Sequence, residues 1–186
     1  MMMSHAGIQY EDCRFGFDTW PSLKPTMVGG SVPNLEFEDG SKMGSTNAMM
    51  RMVGAKYGYY PEDPMKAYQN DFLTDLYYDH FDKFVNFLMA PPDKQAEQKD
   101  EQIDRIKKVL GYIEPFCGKT KFLVGDNLCV CDFWIGGFYT NIMSKPFWVN
   151  GEWDKIKGQF PKYTAYGEAF KAANQAHIDA RPDRPF

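Results

Sequence analysis

Apolar residues in the larger, later part of the chain recur at helical spacing. Phe72, Leu73, Leu76, Tyr77, Phe81, Phe84, Val85 and Leu88 form one stripe, and Ile103, Ile106, Leu110 and Ile113 form another. Gly118 is expected to end the second of these helices. The run VCDFWIGGFYTNIM is apolar nearly all round, which predicts a helix at the centre of a bundle. Pro161 opens a further helix with Tyr163, Tyr166 and Phe170 on one face. These stripes, and most of the methionines, are read as core.

The first sixty residues read differently: short extended runs alternate with turn signals. IQYEDCRF alternates and predicts a strand. DTWPSLKPT predicts a short helix or turn closed by Pro25. Asn34 to Phe37 predicts a strand, EDGS a hairpin turn, and Lys42-Met43 the return strand. Ser45 or Thr46 is expected to cap a helix reaching Lys56, and Gly58 to stop it. Asp63 and Pro64 then read as N-cap and first residue of the next helix. The change of pattern near residue 60 marks a candidate domain boundary.

At 186 residues, with 44% hydrophobic and 16% aromatic content, the chain is long and apolar enough for a folded core. The net charge of -4 and the lack of a Lys/Arg block argue against nucleic acid or an anionic membrane as partner. No apolar run reaches the length of a membrane helix, and no secretory leader is visible at the start. Cys13, Cys117, Cys129 and Cys131 show no paired framework, so free thiols in a reducing cytoplasm are expected. No metal site is expected, because nothing near Cys129 and Cys131 completes a ligand set. His5, His80 and His177 are scattered and read as surface or packing residues.

One stretch does invite chemistry: VGGSVPNLEFEDGSKMGSTNAMMRM, residues 28–52. A cis bond at Val32-Pro33 would turn the amide and carbonyl of Val32 outward, able to pair with an extended peptide. Ser45 and Thr46 stand at a helix start, where free N–H groups attract a carboxylate. Trp20 and Lys24 are four residues apart, so a helical turn puts both on one face, suited to a second carboxylate. Each feature alone is equally an edge-strand proline, a routine cap, a core indole or a solvated lysine. Their joint order favours a cleft for a small peptide with a carboxylate at each end.

The segments WPSLKPTM, GGSVPNLEFEDGSKMGSTNAMMRMVGAKYGYYP and FLVGDNLCVCDF, in that order, resemble the cytosolic glutathione transferases, closest to the sigma type. The resemblance implies an α+β fold. A thioredoxin-like, glutathione-binding domain, incomplete at its start, would span 1–60, and an all-helical bundle domain 61–186. It implies that Trp20 and Lys24 bind the glycyl carboxylate of glutathione, and that Val32, before cis Pro33, pairs with the cysteinyl backbone. Ser45 and Thr46 would take the γ-glutamyl carboxylate. Asp79 would reach the glutathione of a neighbouring subunit. The implied activity is attack of the glutathione thiolate on a small apolar electrophile held near residues such as Tyr77, Phe81 or Tyr112, with prostaglandin isomerisation a variant of it. A homodimer, or a place in a larger assembly, is also implied, and so is a rival: a noncatalytic structural or complex-assembly member of the family, since some members have become lens proteins.

The chain departs from the family pattern in several places. Ser45-Thr46 stands where the family usually has Gln-Ser, Val28 to Ser31 where it has Pro-Phe-Gly-Gln, and Cys129 where it has a Ser or Thr cap ahead of Asp132. The opening MMMSHAGIQYED resembles the end of the family's first helix running into its second strand. The piece that normally carries the activating hydroxyl therefore has no counterpart, and the catalytic residue is unassigned. An unperturbed thiol has a pKa near ~8.5, and losing one preorganised donor costs roughly 3 kcal/mol. Three readings account for this: a recorded chain that starts late, which is favoured; a rearranged fold completed by another chain; or a member that no longer catalyses.

Overall fold

The structure is a computed structural model and describes residues 1–143 and 152–181. It opens with one turn of helix, α1 (Met2–His5), whose Met2 is buried in the main core. Residues 8–16 then run over the surface without forming a strand, which corrects the reading of IQYEDCRF. Alternation makes a strand only where a neighbour completes the ladder. Here no described segment pairs with it in a ladder, and Tyr10, Phe15 and Phe17 are exposed.

Helix α2 (Trp20–Leu23) follows and tightens into a 3-10 turn at Lys24–Thr26, where Pro25 cannot donate to an α ladder. Strands β1 (Leu35–Glu36) and β2 (Lys42–Met43) form an antiparallel hairpin, with Leu35 opposite Met43 and Glu36 opposite Lys42. Asp39 ties the turn by accepting from the Ser41 amide at 2.9 Å and its hydroxyl at 2.6 Å. This hairpin is the only sheet among the described residues.

Helix α3 (Thr46–Tyr57) ends at Gly58, whose φ of 81° is the left-handed cap that glycine adopts cheaply. Asp63 caps α4 (Pro64–Leu88), accepting from the Lys66 amide at 2.9 Å. On α4, Leu73, Tyr77 and Phe84 are buried, whereas Phe72 and Val85, also on the predicted stripe, face outward. Helix α5 (Pro92–Ile113) buries Ile103, Ile106, Leu110 and Ile113. It stops at Ile113 rather than at Gly118, because Pro115 has no N–H with which to continue, and a 3-10 turn (Glu114–Phe116) intervenes.

The expected central helix is α6 (Val130–Phe138), buried along nearly its whole length and continued by a π turn, Tyr139–Met143. Two further helices, α7 (Glu152–Ile156) and α8 (Pro161–Ala173), pack around it, and α9 (Gln175–Ala180) follows. Close approach of α6 and α8 requires glycine: a Cβ at Gly136 would lie 2.3 Å from the Phe170 ring, and one at Gly167 2.4 Å from the Tyr139 ring. Cys129 starts α6, and the buried Asp132 accepts from its amide at 2.8 Å, from the Leu123 amide at 3.1 Å and from the Tyr166 hydroxyl at 3.0 Å. Asp132 therefore holds helix start, preceding loop and α8 together.

The early and late parts of the chain meet through α3. Arg51 pairs with Asp71 at 3.1 Å and Asp75 at 3.0 Å on α4, and the Tyr60 hydroxyl donates to Asp71 at 2.7 Å. Gly54 of α3 lets Val130 of α6 approach, and the Val130 amide donates to the Tyr59 carbonyl at 3.0 Å. Among the described residues no helix is long and apolar enough to cross a membrane.

Candidate functional site

The loop at residues 28–33 is shaped by three side-chain hydrogen bonds from one residue. Asn34 accepts from the Val28 amide at 2.7 Å and donates to the carbonyls of Ser31 at 2.8 Å and Pro33 at 3.0 Å. Gly29 and Gly30 both have φ near the left-handed region, at 68° and 60°, so the loop turns sharply there. The Val32-Pro33 peptide is cis. Val32 is half exposed, and neither its amide nor its carbonyl takes a hydrogen bond among the described residues. Sequence reading had found Pro33 but not Asn34; a turn-forming residue directly after a proline was the available signal.

Neighbouring elements touch this loop on two sides. The stem of Lys24 lies over Gly30, where a Cβ would sit 3.7 Å from Lys24 Cε. Gly44 is pressed against Val28, so closely that a Cβ would lie 2.7 Å from the Val28 carbonyl oxygen. That contact brings Ser45 and Thr46 up to the loop. Lys24 and Gly44, the residue before Ser45, thus both touch the loop that leads to Val32 and Pro33. Lys24 itself is exposed and makes no ion pair among the described residues.

Ser45 differs from its expected role. It occupies the N-cap position of α3, but neither its hydroxyl nor that of Thr46 caps the helix. Its backbone sits at φ 65°, ψ 103°, outside the extended region that capping residues use, and it is the one non-glycine residue with positive φ among those described. A strained residue at a helix start that gains no cap is held there by its surroundings, a pattern concentrated at ligand sites. The first amides of α3, at Thr46, Asn47 and Ala48, have no protein acceptor among the described residues. Beside them, Asn47 Oδ1 is buried without a partner.

Trp20 lies one helical turn before Lys24, whose amide donates to the Trp20 carbonyl. The Trp20 indole is half buried and stacked on Phe15, with ring centres 5.7 Å apart and planes at 7°. Asp79 is exposed on α4, next to His80. Neither side chain makes a hydrogen bond, ion pair or ring contact to the Val32 loop among the described residues.

The helical part supplies an aromatic wall. Trp134 of α6 meets Tyr77 at 5.6 Å, Tyr78 at 5.8 Å and Phe81 at 6.0 Å between ring centres. Phe138 packs edge-on against Tyr77 at 5.5 Å. Trp134 Nε1 is buried without a hydrogen-bond partner. Tyr112 lies elsewhere, exposed on α5.

The chain's own thiols are poorly placed to act as nucleophiles. Burial pushes Cys117 and Cys129 up to about 12 and raises Cys131 well above the usual thiol value. Cys13 is exposed, but the neighbouring Glu11 carboxylate raises it too. Among the described residues no three His, Cys, Asp or Glu side chains cluster as a metal would need.

Comparison with known proteins adds to this geometry. The family model described as "Glutathione S-transferase, C-terminal domain" matches residues 78–176, more than half of the chain. The chain is 29% identical over 196 aligned residues to "Probable glutathione S-transferase 5" of Caenorhabditis elegans, covering 100% of this chain and 90% of that protein. It is 25% identical over 154 residues to "S-crystallin SL20-1" of Nototodarus sloanii, covering 71% of this chain and 69% of that protein. Among solved structures it matches "monomeric Na-GST-3, a glutathione s-transferase from the major human hookworm parasite Necator americanus", with a TM-score of 0.85 and 27% identity over 100% of this chain and 90% of that one. The fold is thus a thioredoxin-like amino-terminal domain followed by an all-helical one, and the chain belongs to the glutathione S-transferase family.

Proposed function

We propose that the chain binds glutathione in the groove formed by Lys24, the Val32-Pro33 loop and the start of α3, and directs its thiolate at small apolar electrophiles held against the aromatic wall around Trp134. The observation that supports this reading is the set of backbone groups left without protein partners at Val32 and at the start of α3. The Val32 amide and carbonyl suit a strand-like partner. The first amides of α3 suit a carboxylate. Lys24, whose stem lies over Gly30 of the same loop, supplies a positive charge.

On this reading Lys24, with Trp20, takes the glycyl carboxylate, Val32 before Pro33 the cysteinyl backbone, and Ser45 with Thr46 the γ-glutamyl carboxylate. Asp79 acts across a homodimer, on the glutathione of the neighbouring subunit. The domain boundary falls between residues 60 and 61, the type is sigma, and the compartment is the cytoplasm. Raised thiols at Cys117, Cys129 and Cys131 support a ligand-borne nucleophile.

Retention on immobilised glutathione, with elution by free glutathione, is the direct test. Lys24→Ala should weaken retention about tenfold, the worth of one charge-assisted contact, and leave the melting temperature unchanged. Failure of the native chain to bind glutathione would refute the site. A second reading, a noncatalytic structural or assembly protein, draws on the likeness to a relative named a crystallin. Glutathione binding without conjugation of any of a panel of model electrophiles would favour it.

A further inference from the structure

The aromatic wall of the helical domain holds one polar group that nothing satisfies. Trp134 of α6 is half-buried, and its Nε1 is buried with no hydrogen-bond partner among the described residues. An indole nitrogen can only donate, so what it lacks is an acceptor. A buried donor left unpaired keeps its desolvation cost, which makes it a group to be explained. The rings around it do not supply the acceptor. Tyr77 and Phe81 lie tilted to the indole at 37° and 55°. Tyr78 crosses it at 74° with ring centres 5.8 Å apart, at best a weak contact between an N–H and a ring face.

This wall lies toward the amino-terminal domain. Asp71, Asp75 and Tyr78 recur at i, i+4 and i+7 along α4 and so share one stripe. The first two pair with Arg51 of α3, the helix whose first amides stand in the proposed glutathione groove. Tyr78 is 41% exposed, whereas Tyr77 is buried and Phe81 half-buried. Of the three rings on the indole, Tyr78 is therefore the one at the surface, where side chains turn fastest.

We propose, resting on the reading of this chain as one that conjugates glutathione, that Trp134 is a specificity-determining residue. Its Nε1–H donates to an acceptor on the electrophile once the incoming ligand has displaced Tyr78. It thereby selects electrophiles whose reacting carbon is conjugated to a carbonyl over those that only lose a halide. With an α,β-unsaturated ketone, the glutathione sulfur bonds to the β-carbon. The pair of the carbon–carbon double bond moves between the α-carbon and the carbonyl carbon, and the carbonyl pair moves onto oxygen. The enolate then takes a proton from water at the α-carbon, and nothing leaves. Negative charge grows on that oxygen in the transition state, so a donor held among rings binds it more strongly there than in the ground state. With a benzyl halide the sulfur displaces the halide, which departs with the bonding pair, and no oxygen gains charge beside the indole. Trp134 then offers ring contact alone.

The test compares benzylideneacetone, an enone, with benzyl chloride, which carries no acceptor, as electrophiles for the whole chain with glutathione. Trp134→Phe keeps an aromatic ring and removes the donor. It should lower kcat/KM for benzylideneacetone about tenfold more than for benzyl chloride, a split that a merely structural role would not produce. An equal loss with both electrophiles would mean that Trp134 only shapes the wall, and would overturn the proposal. So would an unchanged rate with benzylideneacetone. A second measurement needs neither a variant nor turnover. In the wild-type chain, the indole N–H proton resonance of Trp134 should move downfield with benzylacetone, the unreactive saturated ketone, and not with ethylbenzene, which has no acceptor. No movement with benzylacetone, or the same movement with both, would overturn the proposal as well. Conjugation of neither electrophile would refute the conjugating reading instead, while the resonance still reports on the donor.

Discussion

Asp132 offers a sharp test of how this fold is held, because two large effects oppose each other on one carboxyl. Burial penalises its charge, while the amides of Cys129 and Leu123 and the Tyr166 hydroxyl all favour it. Burial wins: the carboxyl is pushed from 3.8 up to about 6. The folded chain therefore holds a proton between these values that the unfolded chain has released. Stability rises as pH falls through that window, and is lower by a constant amount above it. A shift of this size is worth about 3 kcal/mol. Asp132→Asn keeps the shape but cannot titrate, so it lacks this dependence. Unfolding by urea at pH 7 and at pH 4 should show wild type gaining about 2 kcal/mol on Asp132→Asn between the two, since at pH 4 the unfolded carboxyl is already partly protonated. All other titrating groups are shared and cancel in the difference. A difference that stays constant, or shrinks as pH falls, would mean that the three donors outweigh burial and would refute the reasoning.

Asn34→Ala removes three hydrogen bonds from the Val32 loop; because the site is exposed, the loss should be about 1–2 kcal/mol in chemical denaturation, with weaker glutathione retention. Gly136→Ala forces a methyl against the Phe170 ring, and should cost about 1–3 kcal/mol or more, read as a lower urea midpoint. Arg51→Ala leaves Asp71 and Asp75 without their cation at a half-exposed contact, so the melting temperature should fall by only a few degrees, about 1 kcal/mol.

Much of the helical domain was legible in the residue pattern. Leu73, Tyr77 and Phe84 on α4, and Tyr163, Tyr166 and Phe170 on α8, lie in the core as their spacing requires. A helix closes its hydrogen bonds within itself, so its face and its caps at Asp63 and Gly58 are local properties. The cis bond at Val32-Pro33 was legible too, as a resemblance carried by short motifs.

What the pattern misread depends on partners distant in sequence. IQYEDCRF alternates like a strand, but alternation states only which faces differ, and a ladder needs a second chain segment beside it. Ser45 reads as a cap by residue type, yet the contact of Gly44 with Val28 and the entry into α3 hold its backbone left-handed. His80 reads as a surface or packing residue, and only the packing around α4 leaves its Nδ1 buried without a partner. Spacing along the chain determined the helices and their faces; three-dimensional packing decided which polar groups were left facing a groove, because that depends on what lies across it.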